Sequence, residues 1–228
     1  MLEASNWLGD SVRVLRGERA FSRLCYSQLR DKDHWLREVK GEMVWSTVPR
    51  PITWALNLLP GDAVLDRNQA AMEQALQDDL EVVNVARRKI APAKLQEVER
   101  VSEASWSTPY NWFAKSSFPV HSGILVLGAT AEVAVTEART ACAIERFRLT
   151  NGRLPTSLPE LVPAFLPSVP GDALADRPLR FAVGPDQAYR LYSVGWNQTD
   201  DDGTVALRPN STRRDDKKGD WVWWSAPR

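Results

Sequence analysis

Two histidines and two cysteines are all that the 228 residues contain, and that scarcity excludes several kinds of chemistry. His34 and His121 have no cysteine, histidine or carboxylate partner at ligand spacing, so a zinc centre has nothing to build on. Cys25 and Cys142 form no CxxC, which excludes a thioredoxin-like site and a zinc knuckle. Spacing leaves open whether the two pair as a disulfide. Cys142, among alanines on a helix, is expected to be a buried and inert thiol. No glycine-rich phosphate loop is present, so nucleotide binding has no support. No GxSxG elbow is present either, and Ser122 beside His121 is adjacent in sequence only, which does not make an activated nucleophile. No catalytic set emerges, and the chain is expected not to be an enzyme.

An excess of charge of one sign is also missing. The 29 basic and 29 acidic side chains cancel, and no segment concentrates the basic ones as a nucleic-acid face requires. The most apolar run, 123–131, falls far short of the roughly 20 residues that cross a bilayer. The N-terminus, MLEASNWLGDSVRVLRG, lacks the basic start and apolar core of a signal peptide. Two settings follow: the cytoplasm, or a chain whose N-terminal anchor has been removed.

Aromatic rings and prolines, by contrast, are plentiful, with ten tryptophans and fifteen prolines. A tryptophan brings a large apolar surface and one donor, which suits cores, interfaces and ligand platforms. Most are expected to fill the core. Trp106, Trp112 and Trp196 are the candidates for a platform, and Trp221, Trp223 and Trp224 for a docking surface.

Along the chain, residues 1–48 read as broken amphipathic helix, with Val12, Leu15, Arg19 and Arg23 on one face. A helix is expected over 63–90 from the stripe Leu65, Met72, Leu76, Leu80, Val83 and Ile90. A shorter one is expected from Pro92 through Arg100. The segment 102–122 is rich in aromatics, serine and proline and reads as a linker. The clearest helix is expected over 124–150, with Leu127, Ala131, Ala134, Ala138, Ala141 and Ile144 on its packing face. Asn151-Gly152 stops it, because glycine enters the left-handed region without steric cost. Ser157-Leu158-Pro159-Glu160 reads as a capping box opening a short helix. From Arg177 the period changes to two, giving expected strands at 178–183, 187–194, 204–207 and 220–224, with 208–218 as a polar loop. The fold class is therefore α+β: a helical region over 1–120, then a domain over 121–228 of long helix, short helix and small antiparallel sheet.

Between the second and third of these strands lies an acidic loop. Asp200, Asp201 and Asp202, preceded by Asn197 and Thr199 and met by Asp220 on the returning strand, offer the oxygen ligands that calcium takes in six- to eightfold coordination. Adjacent carboxylates repel, and a cation relieves that repulsion. The spacing is not that of an EF-hand.

Residues 138–224 resemble the globular head of type II secretion major pseudopilins and their pilin-like relatives. The matching pieces are AIERFRLTNGRLPTSLPELV, VPGDALADRPLRF, YRLYSVGWNQTDDDG and KKGDWVWW, in that order. The family's second piece runs Asp-Pro-aromatic-Gly, where this chain has Asp172, Ala173, Leu174 and, in the glycine place, Asp176. Its third piece reads Gly-x-Asp-Gly, where this chain has Gly195, Trp196, Asn197 and Gln198. The resemblance implies a pseudopilin-type head. It also implies a structural calcium held by Gly195 (through its carbonyl), Asn197, Asp200, Asp202 and Asp220. The 120 residues before the head do not follow the family pattern of basic leader and long apolar helix.

The expected function is a non-enzymatic binding or assembly protein of the bacterial envelope, in the periplasm or at the cell surface. It would act on a protein partner or on itself, without nucleic acid and without a membrane span in this chain. Two alternatives stand beside it. One is an envelope substrate-binding protein or enzyme with an aromatic-lined cleft between the two regions; the other is a helical scaffold for a protein partner.

Overall fold

The computed structural model describes residues 6–30, 61–106, 111, 114, 122–184 and 188–224. His34, His121 and Trp112, most of the 102–122 linker and the proline of the turn at 184–186 lie outside them. The fold is mixed α+β, with several helices followed by small antiparallel sheets. It divides into two compact units: residues 12–81 with 95–124, and residues 1–11, 82–94 and 125–228.

The helical unit draws on three helices. Helix α1, Trp7–Arg30, starts where the Asn6 side chain accepts the Gly9 N–H at 2.8 Å, the usual cap that satisfies a first-turn donor. Along it Val12, Leu15, Ser22 and Tyr26 are buried, one stripe at helical spacing. Helix α2, Gly61–Glu81, buries Met72, Ala75 and Leu76. Arg23 grips Glu73 through two bonds of 3.0 and 2.9 Å, and this pairing holds the Glu73 carboxyl down at about 2. Asn68 is fully buried and both ends of its amide are used, on the Val64 carbonyl and the Ala114 N–H, each at 2.8 Å. Helix α3, Pro92–Trp106, has proline in its first turn, where a missing N–H costs nothing.

Helix α2 stops nine residues before the expected end at 90. The chain turns instead into a hairpin of β1, Val83–Asn84, and β2, Lys89–Ile90. The Asn84 side chain accepts the Arg87 N–H at 3.0 Å, and Arg88 sits at φ 53°. Val83 and Ile90 are seven residues apart, a spacing shared by one helix face and by this hairpin, which is why the period misled.

The second unit is built on α4, Ser122–Asn151. Its buried face matches the expected stripe at Ala141 and Ile144 and departs from it elsewhere. Leu125, Ala129, Val133, Glu137, Thr140, Ile144 and Phe147 are buried, whereas Leu127 is 72% exposed and Ala134 is exposed. Two acids, Glu132 and Glu137, and Thr140 lie on the inward side, and a pattern reading assigns such residues to solvent. Cys142 falls on the outward side, exposed, and both thiols are free; this corrects the expectation of a buried thiol. The stop at Gly152 is as expected, with φ +69° and its N–H on the Arg148 carbonyl at 2.9 Å.

A 3-10 helix, Leu158–Leu161, follows. The capping box does not form. Ser157 makes no side-chain cap bond, and Glu160 reaches instead to the Thr156 N–H at 2.9 Å and to its hydroxyl. Arg153 completes the corner by bonding Glu160 at 2.9 Å.

The main sheet has the order β3-β4-β7, all antiparallel, from Arg180–Val183, Tyr189–Ser193 and Trp221–Trp224. Central β4 places Leu191 opposite Phe181 and Trp223. Its core partners include Ile144 and Phe147 of α4 with Leu158 and Leu161 of the 3-10 turn. A smaller pair joins β5, Val205–Leu207, to β6, Arg214–Gly219. Strand β6 was expected as loop, because RDDKKG carries no alternating apolar residue to signal a strand.

Candidate functional site

The acidic loop runs from the end of β4 to the start of β5 and closes on Asp220, the residue between β6 and β7. Asp220 is fully buried. Its Oδ2 accepts the N–H of Asp201 at 3.1 Å and of Gly203 at 2.7 Å. Its own N–H donates to the Thr204 carbonyl at 2.8 Å. Its Oδ1 has no hydrogen-bond partner among the described residues. Burial, with Asp200 and Asp201 nearby, pushes the Asp220 carboxyl above its ordinary range.

Two close backbone approaches shape the loop. Gly195 at φ +70° lies so near the Gly219 carbonyl that a side chain has no room, and Gly219 at φ +66° is equally crowded by Ala206 and Thr204. Asp202 also adopts the left-handed region, at φ 54°, where a short polar side chain is tolerated best.

The candidate residues are only partly brought together. Asp200 accepts from the Tyr192 hydroxyl at 3.0 Å and pairs with Arg180 at 2.9 Å. Asn197 donates to Asp201 at 3.1 Å, and the Gly195 carbonyl accepts the Gln198 N–H at 3.4 Å. The Asp202 N–H donates to Asp200 at 3.3 Å, and its carbonyl accepts from Arg190 at 2.8 Å. Among the described residues no three His, Cys, Asp or Glu side chains are arranged to hold a metal ion. Arg180 and Tyr192 were missed as members of this loop. The signal for them is register: they sit opposite each other across β3 and β4, so both reach the loop that β4 feeds. Burial and the bond to Asp200 push the Tyr192 hydroxyl to about 12, so it stays a donor.

Of the three aromatic platform candidates, Trp196 has a described ring. Trp196 is 4% exposed and stacks on Trp221 with ring centres 6.5 Å apart. Arg214 covers the far partner at 4.4 Å from the Trp221 ring. The Trp196 ring is thus packing rather than an open face, which corrects its expected place in a platform. Trp112 lies outside the described residues, and nothing is described of the Trp106 ring.

Beneath the end of β4 lies a buried acid that the sequence reading overlooked. Glu137 of α4 is 5% exposed, accepts a backbone bond from Ser193, and has one carboxylate oxygen without a partner among the described residues. Burial raises its carboxyl from 4.5 to about 8, despite the Ser193 bond and nearby Arg214. Folded Glu137 therefore keeps a proton that the unfolded chain has released, and stability falls as pH rises from 4.5 towards 8. Glu137→Gln is expected to flatten that slope when unfolding free energy is followed against pH. An unchanged slope would show that Glu137 is ionised in the fold.

Comparisons with family models, with curated proteins and with solved structures return no match. The loop and its surroundings therefore have to be read from their own atoms. Among the described residues, no helix is long and apolar enough to cross a membrane.

Proposed function

We propose that the unit built on α4 and the β3-β4-β7 sheet is a non-enzymatic binding or assembly module of the bacterial envelope. It acts on a protein partner or on further copies of the chain, and Ca2+ stabilises its acidic loop. The observation that carries this reading is Asp220: a fully buried carboxylate with one oxygen spent on two loop N–H groups and the other without a partner among the described residues. A buried, unpaired carboxylate oxygen beside further carboxylates is costly, and a hard cation is the ligand that lowers that cost. The element order, long helix, short helix, then antiparallel strands with an acidic loop among them, is the order that the pseudopilin resemblance implies.

Gly195 through its carbonyl, Asn197, Asp200, Asp202 and Asp220 would hold the ion. Asp200 is already held by Arg180 and Tyr192, so uptake competes with that pair and its affinity is expected to be modest. Calorimetric titration of the whole chain with calcium, with the melting temperature read at both ends, tests the reading. One ion per chain and a raised melting temperature are expected, since a ligand that binds only the folded state adds about 2.7 kcal/mol at a hundredfold excess over Kd. Asp220→Asn should abolish both. No heat and no shift up to about 1 mM calcium, the weak end for extracellular modules, would remove the cation, as would binding that survives Asp220→Asn.

A further inference from the structure

Arg180, Tyr192 and Arg190 share one face of the β3–β4 pair. Arg180 and Tyr192 stand opposite each other, and Arg190 lies two residues before Tyr192, so the pleat sends all three side chains the same way. Each of them reaches the acidic loop. The Tyr192 hydroxyl donates to Asp200 Oδ1 at 3.0 Å, and Arg190 donates to the Asp202 carbonyl at 2.8 Å. Arg180 brings its Nε to 2.9 Å from Asp200 Oδ2.

The Arg180 contact differs in kind from the other two. Its Nε makes no hydrogen bond among the described residues, so charge meets charge without the alignment that a bond requires. The two side chains are 35% and 33% exposed, and ion pairs so open to solvent are weak. Asp200 is therefore held by hydrogen bonds on Oδ1, from Tyr192 and from the Asp202 N–H at 3.3 Å, and by charge alone on Oδ2. That charge has work to do. Asp200 and Asp201 are felt at Asp220, and Asp200, Asp220 and Asp202 at the Tyr192 hydroxyl, so these carboxylates repel across the loop. Asp201 is met by the neutral Asn197 amide, and Asp220 by backbone N–H groups. Among the described residues, Arg180 is the one side-chain cation paired with a carboxylate of this loop.

We infer that Arg180 is a built-in counter-cation: it holds Asp200 with a single charge that Ca2+ has to displace, and so sets the calcium concentration at which the loop fills. This role rests on the cation reading of the loop given above. An oxygen in contact with a guanidinium is not open to an ion's coordination shell, and the two cations repel each other. The Arg180 pair lacks a hydrogen bond, so it yields to a doubly charged ion more readily than an aligned pair does. Arg190 is different, because it holds a neutral carbonyl and occupies no carboxylate.

Arg180→Met tests this, since it keeps much of the apolar stem and removes the charge. Calorimetric titration is expected to show calcium bound roughly three- to tenfold more tightly than by the unaltered chain, from lost competition and removed repulsion. Arg180→Lys should stay near the unaltered chain. Arg190→Met removes the same charge from the same face without freeing a carboxylate, and should gain less. With calcium chelated, Arg180→Met should melt below the unaltered chain, and saturating calcium should close that gap. In the unaltered chain the Arg180 Nε–H resonance should move as calcium is added, a readout that stands even where a variant folds poorly. Unchanged affinity in Arg180→Met, an equal gain in Arg190→Met, or an Nε–H signal indifferent to saturating calcium would overturn the role of Arg180 and leave the cation reading standing. No uptake by either chain up to about 1 mM would overturn both.

Discussion

Asp172→Ala is expected to lower the stability of the fold by about 3 kcal/mol, the scale of a buried acceptor removed from several donors. Asp172 is 2% exposed. Its Oδ1 accepts the Leu174 N–H and the Ser193 hydroxyl, both at 2.9 Å, and its Oδ2 accepts the Val194 N–H at 3.2 Å. One side chain thus joins the loop beside the 3-10 helix to the end of central strand β4. Alanine relieves the burial that pushes the Asp172 carboxyl upward, but it leaves three donors with no acceptor in a place water does not reach. The loss of those partners is the larger effect. Asp172→Asn keeps the shape and one acceptor oxygen while turning an amide towards Val194, so an intermediate loss is expected. Urea unfolding reads both, as a shifted midpoint with an unchanged slope. A change within about 0.5 kcal/mol for alanine, the range of ordinary surface substitutions, would show that the three bonds do not hold the loop.

Gly195→Ala and Gly219→Ala should each cost about 3 kcal/mol, from a left-handed backbone and a steric clash together. At Gly195 the new methyl would stand 2.4 Å from the Gly219 carbonyl oxygen, and at Gly219 it would stand 2.6 Å from the Ala206 nitrogen. Both obstacles are backbone, so no side chain can swing aside. Gly17 is the internal contrast. It lies inside α1 with nothing within 4 Å of its added methyl, and alanine there should be neutral or stabilising by up to ~1 kcal/mol. Thermal melts of the three variants test the pattern. Equal, small effects at all three positions would mean that the chain between β6 and β7 yields to admit a side chain.

The α+β class, the long helix with its stop at Gly152, and the strands at 180–183, 189–193, 205–207 and 221–224 were legible because each carries a strong local cue. Glycine after a helical run and alternation of period two are properties of a few neighbouring residues. What escaped depends on residues far apart. The inward face of α4 was legible at Ala141 and Ile144 but not at Glu132, Glu137 and Thr140, which look like solvent positions until Arg88 and Ser193 are brought against them. The end of α2 was hidden by a seven-residue spacing common to helix and hairpin. Strand β6 has no apolar alternation, and is held by its neighbour and by the crossing at Gly219. The acidic loop was visible as composition, but its organisation was not. That Asp220 gathers the loop amides while Asp200 turns to Arg180 and Tyr192 depends on strand register.

The hairpin at 83–90 also bears on how the polypeptide is made. The unit that holds the acidic loop is written in three separate stretches, and the helical unit is inserted between them. During synthesis the Arg88 side chain emerges long before Glu132, which it meets at 2.6 Å, and Ile90 long before the Ala173 carbonyl that receives its N–H. The inserted helices can complete their own local contacts while the earlier stretches are still waiting. The outer unit closes only when the last strands leave the ribosome, so its assembly is governed by long-range contacts, the slow kind. Cutting the gene at residue 121 would therefore release a C-terminal fragment lacking one wall of its own body, with Glu132 buried and deprived of its arginine.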